Sequence, residues 1–428
     1  MTRDEWLQAA AAVFEEPAAL KPSADSVRDA REALVRLHGL AEAVPHDIRL
    51  MFSRVPNRDF DPLVEAAMER MSRGRLHMIV PDQEPETLIL HLGAMLRAMD
   101  QFVAEMSDGW GPSADPRKWL VDGYYLIPRL YPRRAPKDER EHAEQRSNFA
   151  TRVIQCHRIL PATVGGYPVR LFVSQDRVGR DLPPNFGAGL FADLTLELDP
   201  LDGGSFAVRG VQCVDQAGVA MGHLQSAERD QCSILAFPEL TIDLQLRDQV
   251  RSALQKGEHL QSGDNHLRIV VPGSWHVSSG ADVHNVAIVY DGFGEEIAFH
   301  RKVFPYDDKK LGVEAIASGG QLSVLVAEDA LIAIGVCRDF CEHGADNPYI
   351  GVDADFFLIV SYGEDSSMDG HLLSAKLVRM KYRAHSFVVQ QDDTGYPTRV
   401  GYVLTPYDDP KATSKDVARK DCWTVAKP

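Results

Sequence analysis

The stretch Leu331-Ile-Ala-Ile-Gly-Val-Cys337-Arg-Asp-Phe-Cys-Glu-His-Gly344 joins a strand signal to a reactive side chain. LIAIGV is a short apolar run that ends in charge, the pattern of a sheet-core strand. It delivers a cysteine into a polar turn. Gly335, two residues earlier, allows a sharp bend where a side chain would clash. A strained turn that holds a nucleophile clear of its sheet is the geometry of a nucleophile elbow. The competing reading of Cys337 is a buried core thiol, since free cysteine is among the most buried residue types.

Two more acid–base residues stand at comparable junctions. CSILAFPEL runs from Cys232 as a short strand into Glu239, and EIAFHRKVFP runs from Glu296 as a strand into Lys302. Glutamate, lysine and cysteine therefore each end a β-like run. Strand ends on one edge of a sheet are where α/β enzymes assemble their sites.

In that order, FPEL around Glu239, HNVAIVYDGFGEEIAFHRK ending at Lys302 and IGVCRDF around Cys337 resemble the nitrilase, or carbon–nitrogen hydrolase, superfamily. DFFLIVSYG, a helical stretch and SFVVQQDDTG resemble that family's strand, helix and strand after the cysteine. The likeness spans about Phe206 to Tyr407 and does not reach the first half of the chain. It implies a Glu239–Lys302–Cys337 triad and a second glutamate that positions the lysine. Glu314 matches this second glutamate best, with Asp307 or Asp308 as substitutes and a surface acid as the plain alternative. It also implies a two-fold dimer, for which the helix over Met368 to Ala384 offers Leu372, Leu373, Leu377 and Met380. Arg338-Asp339 departs from the aromatic or acidic residue that often follows the family's cysteine. Arg338 is expected to supply its backbone N–H to an oxyanion or its guanidinium to a substrate anion; the alternative is a structural ion pair.

The chemistry of these residues is coherent. A thiol is a weak nucleophile until it loses its proton, and Glu239 would take that proton as general base. Lys302 would favour the thiolate and stabilise the oxyanion. A thioester on Cys337 would form and then be hydrolysed by water that Glu239 activates. The expected activity is hydrolysis of a non-peptide C–N bond, an amide before a nitrile, with a small-molecule amide as substrate and no cofactor. Zinc binding by Cys337, Cys341 and His343 is the rival chemistry. The spacing is not a standard zinc pattern and no fourth ligand is evident, so no metal is expected. A rival of another class is a catalytically silent nitrilase-fold scaffold whose N-terminal domain binds a partner.

Composition limits the partners. A net charge of −16 argues against nucleic acid, which asks for a basic surface. The basic stretch from Arg129 to Arg140 is read as a solvated linker. Six scattered cysteines form no disulfide framework, which fits a reduced cytoplasmic setting. The start MTRDEWLQAA lacks the apolar core of a signal peptide, and no apolar run is long enough to span a bilayer. A homodimer or higher oligomer is expected.

The chain is read as α/β: a nitrilase-like α-β-β-α sandwich with an additional, mainly helical N-terminal domain. The domains are 1–150, helical; 151–204, a partly β connecting segment; and 205–428, the hydrolase-like part. Helices are expected over 26–43, 61–71 and 85–106, the last with an apolar stripe of Leu88, Leu92, Met95, Met99, Phe102 and Met106 that is read as core. A solvated helix is expected over 137–148. LPPNFGAG is read as a turn region, Phe206 to Cys213 as the first hydrolase strand, LRIVVPGSW as one strand, and Asp291-Gly292 as a hairpin turn rather than a phosphate loop.

Overall fold

The computed structural model describes residues 1–15, 24–73, 84–106, 115–130, 152–179, 183–201, 203–260, 265–308, 310–342, 346–392, 397–407 and 415–428. The chain divides into two compact units, Met1–Ala162 and Thr163–Pro428. The helix expected over 137–148, most of the basic stretch after Arg129, and His343 lie outside the described residues.

The first unit holds helices α1 (Arg3–Glu15), α2 (Ala24–Glu42), α3 (His46–Arg54), α4 (Asn57–Ser72), α5 (Pro85–Met106) and α6 (Pro116–Trp119). A small antiparallel sheet follows: β1 (Leu120–Val121), β2 (Tyr124–Pro128) and β3 (His157–Pro161). The periodic stripe of α5 puts Leu88, Leu92, Met95 and Met99 into the core, and α1 to α4 pack on it. Phe102 is half-buried and Met106 is exposed, so the stripe is core except at its last turn. The fully buried Arg152 guanidinium lies 4.5 Å over Phe52 and 4.9 Å over Phe60. The buried Asp100 carboxylate accepts from the backbone N–H of Gln155 and Cys156 and pairs with His157 Nδ1 at 2.8 Å. Buried polar groups persist where they are paired in this way.

The second unit is a sandwich of two sheets. Its strands are β4 (Thr163–Val164), β5 (Tyr167–Val173), β6 (Asn185–Gly189), β7 (Thr195–Leu201), β8 (Ser205–Gln212), β9 (Cys232–Ala236), β10 (Ile269–Val271), β11 (Ser274–Ser279), β12 (Asp282–Tyr290), β13 (Glu296–Arg301), β14 (Asp307–Asp308), β15 (Gly312–Glu314), β16 (Leu322–Val326), β17 (Leu331–Val336), β18 (Phe356–Gly363), β19 (His385–Asp392), β20 (Arg399–Leu404), β21 (Lys415–Ala418) and β22 (Trp423–Ala426). Its helices are α7 (Gln216–Arg229), α8 (Leu244–Lys256), the single turn α9 (Arg338–Cys341) and α10 (Asp365–Tyr382). Among the described residues one sheet runs β11-β12-β10-β9-β6-β22, with β13 on the other side of β12. The other runs β21-β20-β19-β18-β17-β16-β5-β4.

Alternation along the strands builds the layers. Ile234 and Ala236 of β9 meet Ile332, Ile334 and Val336 of β17 and Leu358 and Val360 of β18 in a core between the sheets. Leu235 and Phe237 point the other way, against Leu224 of α7 and Leu246, Val250 and Leu254 of α8. The outer face of the second sheet is covered by α10, whose His371 stacks on Phe340, and Phe340 in turn stacks on Phe357. The order helix, sheet, sheet, helix is the α-β-β-α sandwich expected from sequence. No helix among the described residues is long and apolar enough to cross a membrane.

Four stretches differ from the sequence reading. The segment 151–204 does not act as a plain connection: β3 closes the small sheet of the first unit, while β5 and β6 sit inside the two sheets of the second. LPPNFGAG is not only a turn, because NFGAG is the strand β6. A Cβ on Gly187 would lie 2.5 Å from the Trp423 ring, so glycine there serves close packing rather than a bend. Phe206 to Cys213 is not the first strand of the sandwich. It forms β8 of a separate four-stranded sheet, β14-β15-β8-β7, with the alternating burial of a one-sided strand. LRIVVPGSW is broken into β10 and β11 at Gly273, whose φ is +62°. The hairpin at Asp291 joins β12 to β13 as read.

Candidate active site

Glu239 follows β9, where an isolated parallel bridge ties it to Ser274 at the start of β11. Lys302 follows β13, and its backbone N–H donates to Asn285 O of β12 at 2.8 Å. Cys337 follows β17, and Glu314 is the last residue of β15 in the small sheet. Four elements thus deliver four side chains to one place, and all four are buried.

The Lys302 ammonium is clamped between two carboxylates. Its Nζ donates to Glu239 Oε1 at 2.8 Å and to Glu314 Oε2 at 2.7 Å. Asn285 Nδ2 donates to Glu239 Oε1 at 2.8 Å and to Glu314 Oε1 at 3.1 Å, so one amide aligns both acids. Glu314 also accepts from His276 Nε2 at 2.9 Å and from the Tyr306 backbone at 3.0 Å. Asp307 and Asp308 stand apart from this clamp, and Asp308 accepts instead from the backbone of Lys310 and Leu311. Asn285 and His276 had no signal in the sequence beyond their place in strand-like runs.

Burial and this clamp push the two carboxyls apart. Burial raises the Glu314 carboxyl, but Lys302 and His276 outweigh it and hold the group well below the usual carboxylate range. Burial raises Glu239 well above its ordinary value, only partly opposed by Lys302, with Cys337 and Glu314 adding to the rise. Lys302 stays protonated, because the two carboxylates outweigh the burial that would lower it. Two acids whose environments separate their proton affinities take different roles. Glu314 is held ionised beside Lys302, and Glu239 binds a proton more readily.

Cys337 has φ +46° and ψ −105°, a conformation that costs a non-glycine residue roughly 1–3 kcal/mol. The strain sits on the cysteine itself. Gly335 serves by size, since a Cβ there would meet Ile359 Cδ1 at 2.9 Å and the Tyr349 ring at 3.3 Å. Cys337 N donates to Val360 O at 2.8 Å and locks the elbow to β18. The thiol donates weakly to Tyr362 O, with sulfur and oxygen 3.7 Å apart, while Tyr362 N donates to Glu239 Oε2 at 3.1 Å. The backbone of one residue, Tyr362, thereby meets both the thiol and the carboxylate. A hydrogen bond with Cys341, together with burial, raises the Cys337 thiol well above its ordinary value, and Lys302 opposes this. The sulfur therefore holds its proton as a thiol.

Asp339 fixes the elbow to the lysine strand. Its Oδ1 accepts from Val303 N at 2.9 Å and Phe304 N at 3.0 Å, and its Oδ2 from Val336 N at 3.1 Å and His300 Nε2 at 2.8 Å. Arg338, expected to serve substrate, donates from its guanidinium to Pro305 O at 2.6 Å and pairs with Glu342. Among the described residues no group of three or more His, Cys, Asp or Glu side chains is placed to hold a metal ion.

No family model matches the chain, and no curated protein matches it. Solved structures do. An amidase from Nesterenkonia sp. aligns with a TM-score of 0.40 at 14% identity, covering 56% of this chain and 89% of its own. A cysteine-to-serine variant of the Nesterenkonia AN1 amidase, described as from the nitrilase superfamily, aligns with a TM-score of 0.38 at 15% identity over 56% and 90%. A glutamate-to-glutamine variant of that amidase, carrying acrylamide added at its active-site cysteine, aligns at 0.40 and 14% over 57% and 93%. These solved structures are amidases, and one of them is described as from the nitrilase superfamily.

Proposed function

We propose that this chain is a thiol-dependent hydrolase of a non-peptide carbon–nitrogen bond, with a small-molecule amide as substrate and Glu239, Lys302, Cys337 and Glu314 as its machinery. The observation that carries this reading is the buried Lys302 ammonium held by Glu239 and Glu314 beside a cysteine on a strained elbow. As the Cys337 sulfur bonds to the carbonyl carbon, its proton passes to Glu239. The oxyanion is met by the Lys302 ammonium and by the Arg338 backbone N–H, the first donor past the elbow. When the tetrahedral centre collapses the C–N bond breaks, and the amine leaves with the proton from Glu239. A thioester remains. Water gives a proton to Glu239 and attacks it, releasing the acid and restoring the thiol. Glu314 keeps Lys302 charged and aimed throughout.

The raised Glu239 carboxyl gives the sign of the pH dependence. Turnover needs the ionised form, so activity rises with pH through the Glu239 value, and the acid limb lies above that of an exposed glutamate. The test is a panel of small aliphatic and aromatic amides, assayed for ammonia release and by intact mass for an acyl adduct on Cys337. Cys337→Ala and Glu239→Gln are expected to lose at least ~1,000-fold in kcat. An amide hydrolysed as fast by Cys337→Ala as by the unaltered chain would overturn the reading.

A further inference from the structure

We propose that Ser361 and His371 form a neutral hydrogen-bond relay that presents a hydroxyl donor to the Cys337 sulfur as it becomes a thiolate. The relay rests on Cys337 being the nucleophile. Ser361 would be the group that touches the reacting atom, and His371 its positioning residue.

The register brings them together. β17 and β18 run parallel with Val336 opposite Val360, so Ser361 is the neighbour of Cys337 across the ladder. The Ser361 hydroxyl acts on the thiol in the sense that favours its ionised form. Behind it, His371 of α10 meets Ser361 Oγ through Nε2 at 3.1 Å. Ser361 Oγ also lies 3.3 Å from Gln390 Oε1. Ser361, His371 and Gln390 are all fully buried. Gln390 Nε2 donates to Glu364 O at 2.9 Å, which turns the amide oxygen towards Ser361. Phe340 stacks on His371 with ring centroids 6.1 Å apart and an interplanar angle of 20°, which fixes the plane of the imidazole.

The tautomer follows from what is left over. His371 Nδ1 is buried without a hydrogen-bond partner among the described residues. An orphaned N–H is rarer and costlier in a protein interior than an orphaned lone pair. The proton therefore belongs on Nε2, which donates to Ser361 Oγ. Burial lowers the His371 value to about 3, so the ring stays neutral and cannot take a second proton at working pH. With one lone pair occupied by His371, the Ser361 O–H is left to donate either to Gln390 or to sulfur.

At rest the thiol gives its own proton to Tyr362 O, and the long contact to Gln390 can hold the serine proton. When Glu239 removes the thiol proton, the Tyr362 carbonyl has nothing to offer an anion. Lys302 helps by charge, while the bond with Cys341 and burial oppose ionisation. A short rotation of the Ser361 hydroxyl then places a donor on the sulfur, and a hydrogen bond to an ionised partner is stronger than one between neutral groups. No bond other than hydrogen bonds changes in the relay, and no charge moves through it.

The experiment measures the rate of iodoacetamide labelling at Cys337 against pH, read by mass spectrometry of its peptide, in the unaltered chain, Ser361→Ala, His371→Gln and His371→Leu. Ser361→Ala should move the midpoint upward and slow labelling near pH 8 by roughly 10-fold, the scale of one hydrogen bond to a charged group. His371→Gln retains an N–H for Ser361 and should label nearly as the unaltered chain does. His371→Leu should follow Ser361→Ala. Ser361→Ala removes a single oxygen, so it serves even if both histidine variants fail to fold. A fast Cys337 indifferent to Ser361→Ala overturns the relay alone. If Cys337 reacts no faster than Cys341 in the unaltered chain, the nucleophile reading falls and the relay falls with it.

Discussion

At the scale of single residues, the site depends on separating groups that water would treat alike. Glu239 and Glu314 are both raised by burial and share one ammonium, yet Glu239 ends raised and Glu314 lowered, because Glu314 has His276 in addition to Lys302. His371 shows the same principle with a consequence for stability. Its folded value near 3 lies below the unfolded value of about 6.5. Between these limits the unfolded chain binds a proton that the folded chain refuses, so the stability linked to His371 is fully present above pH 6.5 and is lost as pH falls towards 3. Replacing His371 by Gln removes this linkage. Urea unfolding at pH 7, 6 and 5 is expected to show the unaltered chain losing up to about 1.4 kcal/mol per pH unit relative to His371→Gln. Parallel stability curves for the two chains would count against a buried neutral imidazole. Glu239, Lys302 and Cys337 were legible in sequence because each ends an apolar run. Asn285, His276, Ser361 and His371 were not, since a polar residue on a strand or helix face carries no sign of what will face it.

At the scale of elements, the position of Lys302 relative to Cys337 is set by the join between β13 and the turn after β17, and Asp339 makes that join. Four N–H donors from three segments converge on its two oxygens. Asp339→Asn puts a donor among donors and leaves at least one of them unmet. The expected cost is roughly 3–5 kcal/mol in urea unfolding, together with loss of turnover, as for a buried charge pair broken from one side. A variant as stable and as active as the unaltered chain would show the join to be dispensable. The strands of the second unit that run into Glu239, Lys302 and Cys337 were legible as apolar runs. α8 begins where Asp243 caps Leu246 N and ends at Gly257, whose φ is +68°. β6 was hidden because its glycines, which make room for Trp423 and its neighbours, have the composition of a turn. β8 was misassigned because an alternating strand fits any sheet with one covered face.

At the scale of the whole molecule, α10 carries both inward and outward duties. Met368, His371, Ser374 and Val378 face its own sheet, while Leu373 and Met380 are 50% and 75% exposed. An outward apolar pair on a helix beside the site is what a two-fold contact would use, and each substitution there enters such an interface twice. Sedimentation of the full chain at micromolar concentration is expected to show a dimer, and Leu373→Asp with Met380→Asp a folded monomer. A monomer without any substitution would remove the expectation. The placement of β5 also governs how the native state is reached. β5 pairs in parallel with β16, and near its end Arg177 meets Glu328 across 151 residues of chain. Closing so long a loop is paid for in entropy before any ladder repays it, which makes folding slow. Until Leu322 has been synthesised, Tyr167 to Val173 has no partner on that side, and an unpaired edge of this kind invites other chains. The sheet that presents Cys337 should therefore make the nascent protein a client of chaperones, with yield falling steeply as concentration and temperature rise.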